Sequence, residues 1–184
     1  MEVTLEKKLE LINKIEFFSR FDESDKVTMA NMATFEKYQP GDKLIKQNTS
    51  NTHLFFIING NVDIVIDYKI VVSLCGGGHV FGEMSFVDYS PTSASVVANT
   101  KVVAMLFDTG KINLMIEPIH YKLRMDIYRS CAEILARRLI HTNSIAKTYM
   151  QNEKLDDVAL TEDWFPFISE LINPSNWIIL KFPD

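Results

Sequence analysis

The residues with the clearest capacity for chemistry lie between Phe81 and Val96, where a glycine, a carboxylate and several hydroxyl side chains follow one another. Gly82 permits a tight turn and a close approach of the backbone to a ligand. Residues 83–87 suit a short helix, and the N–H groups at the start of such a helix attract anions such as phosphate. Pro91 is expected to end this helix. The segment is therefore predicted to bind an anion.

The same segment also has a purely structural interpretation. Gly82 is a residue type common in ordinary turns, and the charge of Glu83 is favourable at the start of any helix. Residues 93–96 alternate polar and apolar side chains, as a strand does when one of its faces lies in a core. Taken alone, the segment fits either a ligand site or a turn between a helix and a strand.

The chain around this segment predicts the elements that position it. From Thr34 to Phe107, short apolar stretches alternate with turn residues, a pattern typical of a sandwich or barrel. Turns are predicted at residues 40–42 and at residues 59–61, which contain the favoured hairpin dipeptide Asn-Gly. The three glycines at 76–78 lack the Lys-Ser/Thr of a phosphate-binding loop. They are interpreted as a bend.

Helical periodicity flanks these strands on both sides. Residues 3–15 and 24–33 predict two helices before the strands. After Asp108 the periodicity predicts a short helix over 109–117 and a long helix over 119–150, separated at Pro118.

The long helix carries two apolar stripes. The first stripe steps by three and four residues, as in a coiled coil, and contains Tyr121, Met125, Tyr128, Ala132, Leu135, Leu139, Thr142, Ala146 and Tyr149. The second stripe contains Leu123, Ile127, Cys131 and Ile134. If the second stripe packs on the strands, the first is left exposed as an unusually large apolar patch. We therefore expect a parallel homodimer through the long helix.

Residues 81–96 resemble the phosphate-binding cassette of the cyclic nucleotide-binding domain family, which includes the bacterial catabolite activator and the regulatory subunits of cyclic-nucleotide-dependent kinases. The resemblance rests on Phe81-Gly82-Glu83 and on residues 93–96, with supporting patterns at 38–42 and 54–60, and it covers about residues 10–150. It implies a mainly β fold with flanking helices. The expected architecture is a β-roll, a double-stranded jelly roll, with N-terminal helices and a long C-terminal dimerisation helix.

This resemblance divides the chain into four parts. They are an N-terminal helical lead-in over 1–33, a β-roll with the cassette over 34–118, the long helix over 119–150, and an acidic, aromatic tail over 151–184. The tail has seven acidic residues and two lysines, so its net charge is −5. The family's transcription factors carry a basic winged helix-turn-helix after the long helix. The tail lacks the length and the basic charge for one, so no nucleic-acid partner is expected.

Carried over residue by residue, the resemblance implies a ligand site. In the family, the cassette glutamate holds the ribose 2′-hydroxyl, and a Thr and the next polar residue of the activator's long helix contact adenine. The implied ligand-binding residues here are Phe81, Gly82, Glu83, Met84, Ser85, Thr92, Ser93, Ala94, Thr142 and Asn143. The expected ligand is cyclic AMP, cyclic GMP or a similar molecule.

The cassette departs from the family pattern at its most informative position. The family's arginine, which pairs with the cyclic phosphate, is replaced by Thr92, and no Lys or Arg lies between Lys69 and Lys101. An arginine–phosphate pair is bidentate and charge-assisted, so its loss weakens binding. A basic residue from elsewhere, such as Arg137 or Arg138, is a candidate to reach the site.

Several classes of function lack the residues that they need. The four histidines show no metal spacing with cysteines or acidic residues, and no nucleophile–base pattern is visible. We therefore expect neither an enzyme nor a metal site. The sequence shows no apolar run suited to a membrane span, no signal peptide, and two cysteines without a disulfide framework. These features favour a cytoplasmic protein with no membrane partner.

Two functions of different classes remain open. The first is a regulatory sensor in which a cyclic nucleotide binds the β-roll and the long helix or the tail signals to a downstream protein partner. The second is a degenerate β-roll that no longer binds nucleotide and acts as a dimeric protein-interaction scaffold, since a fold does not fix a function. Thr92 is the residue that separates the two.

Overall fold

The structure is a computed structural model that describes residues 3–115 and 120–151, with side chains described as far as Ile145. Predictions for Pro118, for the side chains of Ala146 and Tyr149, and for residues 152–184 lie outside the described part of the chain.

Two short helices begin the fold, as the periodicity predicted. Helix α1 spans Leu5–Lys14, and Thr4 caps it by accepting a hydrogen bond from the Lys7 N–H at 3.4 Å. A single 3₁₀ turn over Glu16–Phe18 follows. Helix α2 spans Glu23–Met32, and the Asp22 carboxylate accepts from the Asp25 N–H at 2.9 Å. Such caps satisfy N–H groups that have no partner within a helix.

Within the described residues, eight strands form two antiparallel sheets. They are β1 (Thr34–Tyr38), β2 (Lys43–Ile45), β3 (His53–Asn59), β4 (Val62–Ile66), β5 (Lys69–Leu74), β6 (Val80–Phe81), β7 (Ser95–Ala98) and β8 (Val102–Asp108). One sheet has the order β1-β8-β3-β6 and the other β2-β7-β4-β5. The predicted fold class, a mainly β roll with flanking helices, is confirmed.

Strand β3 lies between two cores, and this position explains why its residues 54–58 are all apolar. Leu54 and Phe56 belong to the cluster that joins the roll to the helices, whereas Phe55 and Ile57 belong to the cluster between the sheets. In the first cluster, the Phe56 ring contacts those of Phe17 and Phe107 at centroid distances of 5.0 and 5.4 Å. The strand is therefore buried on both faces.

Two connections between strands illustrate the left-handed backbone that turns in this fold use. Gly60 turns β3 into β4 with φ +101°, and a Cβ there would lie 2.4 Å from the Lys101 carbonyl oxygen. Asp67 and Tyr68 join β4 to β5, and both have positive φ, at 48° and 67°. This pattern matches a type I′ hairpin turn, which the sequence did not signal because neither residue is Gly or Asn.

The chain returns to helix after β8. Helix α4 spans Thr109–Asn113 and is shorter than the predicted 109–117, and helix α5 spans Tyr121–Gln151. In the second stripe, Leu123, Ile127 and Cys131 are fully buried in the helix-side core, so the prediction that this stripe packs on the domain is confirmed. In the first stripe, Met125 and Leu139 are mostly exposed. The homodimer stays a prediction.

The first half of α5 is also held by polar contacts. Lys122 lies 3.2 Å from the Asp25 carboxylate of α2 and 2.9 Å from that of Asp126. The hydroxyl of Ser130 donates to the Phe17 carbonyl at 2.9 Å. These contacts join α5 to the N-terminal helices independently of the cassette.

Candidate functional site

The cassette begins at a position that only glycine can occupy without strain. Gly82 precedes helix α3 (Glu83–Asp88) and has a left-handed φ of 89°. A Cβ at Gly82 would lie 2.3 Å from the His53 carbonyl oxygen and 2.6 Å from Asn51 Nδ2. Real Cβ atoms do not approach backbone this closely, so the turn depends on glycine for both its φ and its space. The predicted tight turn is confirmed.

The end of α3 differs from the prediction. The helix stops at Asp88, and Tyr89 takes a left-handed φ of 60° while its N–H donates to the Ser85 carbonyl at 3.1 Å. A left-handed residue just after the last turn is a common helix terminator. Tyr89 therefore ends the helix, and Pro91, which was expected to do so, lies beyond it.

Glu83 is buried and paired with a residue from α5. Only 2% of its surface is exposed, and its carboxylate accepts a hydrogen bond from Nη1 of Arg138. The other terminal nitrogen of Arg138, Nη2, donates to the Val80 carbonyl at 2.6 Å. The guanidinium carbon lies 5.8 Å from the centroid of the Phe81 ring. Arg138 therefore contacts the carboxylate, the backbone and the aromatic ring at the start of the cassette.

The spacing of the second stripe of α5 indicates that Arg138 reaches the cassette, although the cassette motif alone does not. Arg138 follows Ile134 by four residues, so it continues the second stripe of α5 onto the cassette. An arginine on a stripe that packs inward needs a partner for its charge. Of the two arginines named as candidates, Arg138 reaches the site, but it binds Glu83 rather than the region of Thr92. Arg137 instead lies 3.7 Å from Glu16.

Thr92, at the position of the family's arginine, is bound to the loop between β2 and β3. It is 6% exposed, and its hydroxyl donates to the Lys46 carbonyl. The backbone of Thr92 adds two further bonds, accepting from the Asn48 N–H at 2.8 Å and donating to the Thr49 carbonyl at 3.0 Å. The side chain thus holds a neighbouring loop against the cassette and contributes no charge.

The remaining cassette residues lie together on the same loop–helix–strand unit. Phe81 and Ser85 are buried, Met84 and Ser93 are exposed, and Ala94 is half-buried. The Ser93 hydroxyl lies 3.7 Å from the Met84 sulfur, so the two ends of the cassette meet at the surface. The structure brings the predicted cassette residues together, while their contact with a ligand stays a prediction.

Thr142 and Asn143 lie one turn beyond Arg138 on α5. Both are exposed, and the Thr142 hydroxyl donates back to the Arg138 carbonyl at 2.9 Å. Among the described residues, no hydrogen bond joins either side chain to the cassette. Their proposed contact with a purine base stays a prediction.

Two further side chains that the sequence did not single out contribute to the site. Tyr128 of the first stripe is half-buried because its ring stacks on Phe86 of α3 at a centroid distance of 4.6 Å. His79 is only 2% exposed. Burial lowers the pKa of His79 to about 4, and the positive charge of Arg138 acts in the same direction. His79 is therefore neutral at physiological pH.

Cys131 borders the same cluster from α5. The thiol is fully buried, and burial, helped by the negative charge of Glu83, raises its pKa well above the ordinary range. A neutral buried thiol is unreactive, so Cys131 acts as an apolar side chain here. No set of three His, Cys, Asp or Glu residues in the described part of the chain is placed to bind a metal ion.

The comparisons with known proteins agree with this geometry. Residues 35–117 match the family model described as the cyclic nucleotide-binding domain. Over these residues the chain is similar to that domain family. The match covers both sheets and the whole cassette, whereas α5 and Arg138 lie after it. Within the described residues, no helix combines the length and the apolar character that a membrane crossing needs.

Among the relatives and solved structures that the chain resembles are regulatory proteins. The chain is 29% identical over 101 residues to the cAMP-dependent protein kinase type II regulatory subunit of Drosophila melanogaster, covering 53% of this chain and 27% of that protein. The chain spans about a quarter of the length of the kinase regulatory subunits that it matches.

Two solved structures illustrate the fold. One is a triple mutant, bound to cAMP in the A site, of the regulatory subunit of a cAMP-independent protein kinase A from Trypanosoma brucei. It is 25% identical with a TM-score of 0.59, over 72% of this chain and 46% of that one. The other, a putative cyclic nucleotide-binding protein from Geobacter metallireducens, is 18% identical with a TM-score of 0.63, over 75% and 99% of the two chains.

Proposed function

We propose that this cyclic nucleotide-binding domain is a regulatory sensor for a ligand built on a ribonucleoside, the class that contains cyclic AMP and cyclic GMP. The observation that carries the proposal is the bond between Arg138 and Glu83. Glu83 is the residue that the family resemblance assigns to the ribose, and Arg138 belongs to the long helix that follows the roll. A ligand that binds Glu83 therefore contacts a carboxylate that is already bound to Arg138 of α5.

The chemistry of the carboxylate explains how binding reaches α5. An ionised carboxylate offers two oxygens with about four acceptor sites, and Arg138 uses one oxygen of Glu83. Ribose hydroxyls that donate to Glu83 either share the carboxylate with Arg138 or displace it. Both cases change the free energy that holds α5 against the cassette. The size of the response is bounded by the difference in ligand affinity between the two positions of the helix.

The proposed regulatory role is supported by the relatives and by the exposed first stripe of α5. The Drosophila relative is a kinase regulatory subunit, which supports a domain that regulates a downstream protein and is not itself an enzyme. The mostly exposed first-stripe residues Met125 and Leu139 offer a surface for a second copy or for that partner. We also propose a cytoplasmic location without nucleic-acid or membrane partners, which suits a chain that forms no disulfide.

The proposal is tested by calorimetry and hydrogen exchange on the full chain. The ligands are cyclic AMP, cyclic GMP, adenosine and guanosine, each up to millimolar concentration. We expect at least one of them to bind and to change amide exchange in the part of α5 that contains Arg138. Glu83→Gln should weaken that binding about tenfold, whereas Glu6→Gln, a change at an exposed carboxylate of α1, should have no effect.

The rival function is an interaction scaffold that no longer takes a ligand. Its support is that the Thr92 hydroxyl is already bound by the chain's own Lys46 carbonyl. A folded protein that binds none of the four ligands would contradict the sensor and leave the scaffold. Binding of a ligand without any change in α5 would contradict both.

A further inference from the structure

The position that carries an arginine in the family's cassette is occupied here by neutral Thr92, which is already held by its own hydrogen bonds. Thr92 has a buried hydroxyl that donates to the Lys46 carbonyl, and its backbone is fixed by Asn48 and Thr49. These bonds hold the small Thr92 side chain beside the loop between β2 and β3. An anion placed at the cassette therefore meets no cation from this position.

Arg138, which does reach the cassette, already has a counter-charge. Its guanidinium binds the Glu83 carboxylate and the Val80 carbonyl, and its side chain is 19% exposed. Moving Arg138 to a phosphate would leave the buried Glu83 carboxylate without its partner, which is strongly unfavourable. Arg138 and Glu83 together contribute no net charge to the site.

The cassette segment itself supplies no positive charge. No Lys or Arg occurs between Lys69 and Lys101, and buried His79 is neutral. Lys46 offers its carbonyl to Thr92 while its side chain is exposed. Asp88, at the end of α3, is an exposed negative charge. With Glu83 paired to Arg138, the described residues from Val80 to Thr92 are therefore neutral to negative in sum.

We infer that the cassette selects an uncharged ribonucleoside over the cyclic nucleotide of the same base. The ribose hydroxyls would donate to Glu83, as in the proposed function, on which this inference rests. A cyclic phosphate would bring one negative charge into a site whose described residues offer no counter-charge, and partial removal of that charge from water is costly. The nucleoside avoids this cost and keeps the ribose contact.

The test compares ligands that differ only in the phosphate. The full chain is titrated by calorimetry with guanosine against cyclic GMP, and with adenosine against cyclic AMP. We expect the preferred nucleoside to bind at least about tenfold more tightly than its cyclic nucleotide, the effect of one charge-assisted hydrogen bond. Thr92→Arg should reverse this order. Thr92→Gln, which removes the same hydroxyl without adding charge, should not.

The outcomes separate this inference from the proposed function. If a cyclic nucleotide binds the native chain more tightly than its nucleoside, the uncharged ligand is wrong while the sensor stands. Loss of that binding in Lys46→Met would then identify the missing cation. If the folded native chain binds none of the four ligands, the sensor and the inference both fail. A misfolded Thr92→Arg variant does not affect the comparison, because the native chain alone gives the order of affinities.

Discussion

The carboxylate of Glu83 at the start of the cassette helix is bound by the guanidinium of Arg138, which lies 55 residues later on α5. This pair joins the proposed ligand site to the long helix directly, without an intervening side chain. Because Glu83 is buried, the two residues depend on each other for stability as well as for any signal.

Removing Arg138 should destabilise the fold far more than removing its neighbour. Arg138→Ala leaves the buried Glu83 carboxylate without a counter-charge, and we expect a loss of about 3–5 kcal/mol in the free energy of unfolding. Arg137→Ala breaks a more exposed pair with Glu16 at 3.7 Å and should cost about 0–1 kcal/mol. Urea denaturation measures both. Equal losses would show that the Glu83 carboxylate does not need Arg138.

Acidification should weaken the fold through His79. Its pKa is lowered from 6.5 to about 4 by burial, so between these values the unfolded chain binds the proton and the folded chain does not. Stability is therefore lost as pH falls through this window, by up to about 3 kcal/mol. His79→Phe should flatten the curve of unfolding free energy against pH. A slope that survives His79→Phe would assign it to other groups.

Gly82 and Gly41 provide a matched pair for testing the cassette turn. Both have left-handed φ, 89° and 92°, but a Cβ at Gly41 meets nothing within 4 Å, whereas at Gly82 it meets the His53 carbonyl oxygen at 2.3 Å. Gly41→Ala should cost about 1 kcal/mol for its backbone conformation. Gly82→Ala should cost clearly more, because backbone must move as well. Thermal denaturation compares them, and similar melting temperatures would mean that the turn relaxes freely.

The exposed first stripe of α5 should support a homodimer. Met125 and Leu139 are 67% and 60% exposed, so Met125→Glu with Leu139→Glu should dissociate the dimer without disturbing the core of each copy. Tyr68→Glu, at the tip of the β4–β5 hairpin, is the control and should leave the dimer intact. Sedimentation at micromolar concentration reports the mass. A native monomer there would refute the dimer.

Sequence patterns predicted the elements and the turn at Gly82 because these depend on local rules. The alternation and apolar runs of the strands, the second stripe of α5 and the glycine at position 82 each follow from burial or backbone freedom at that position. The sequence left open which of Arg137 and Arg138 reaches the cassette, because this depends on the orientation of α5 about its own axis. Only the packing of Leu123, Ile127 and Cys131 decides that rotation.

Other features could not be predicted because they arise from contacts distant in sequence. The Thr92 hydroxyl binds a loop that precedes it by more than forty residues, and the substitution alone gave no sign of that partner. His79 is buried beside the Phe81 ring, at a centroid distance of 6.4 Å, although it follows a glycine-rich bend whose own sequence is typical of exposed turns. Predicting either feature would have required the relative positions of the elements as well as their existence.

The attachment of α5 has a mechanical consequence. The residues of α5 up to Cys131 are fixed by buried apolar contacts and by the hydrogen bond of Ser130. The bond between Arg138 and Glu83 attaches the following stretch of α5 to the cassette. From Cys131 to Gln151 the helix measures about 30 Å at 1.5 Å per residue. A tilt of about ten degrees at this fulcrum would carry the far end through about 5 Å. The second half of α5 is thus a lever, and a small change at one carboxylate is magnified into a displacement as large as a helical turn.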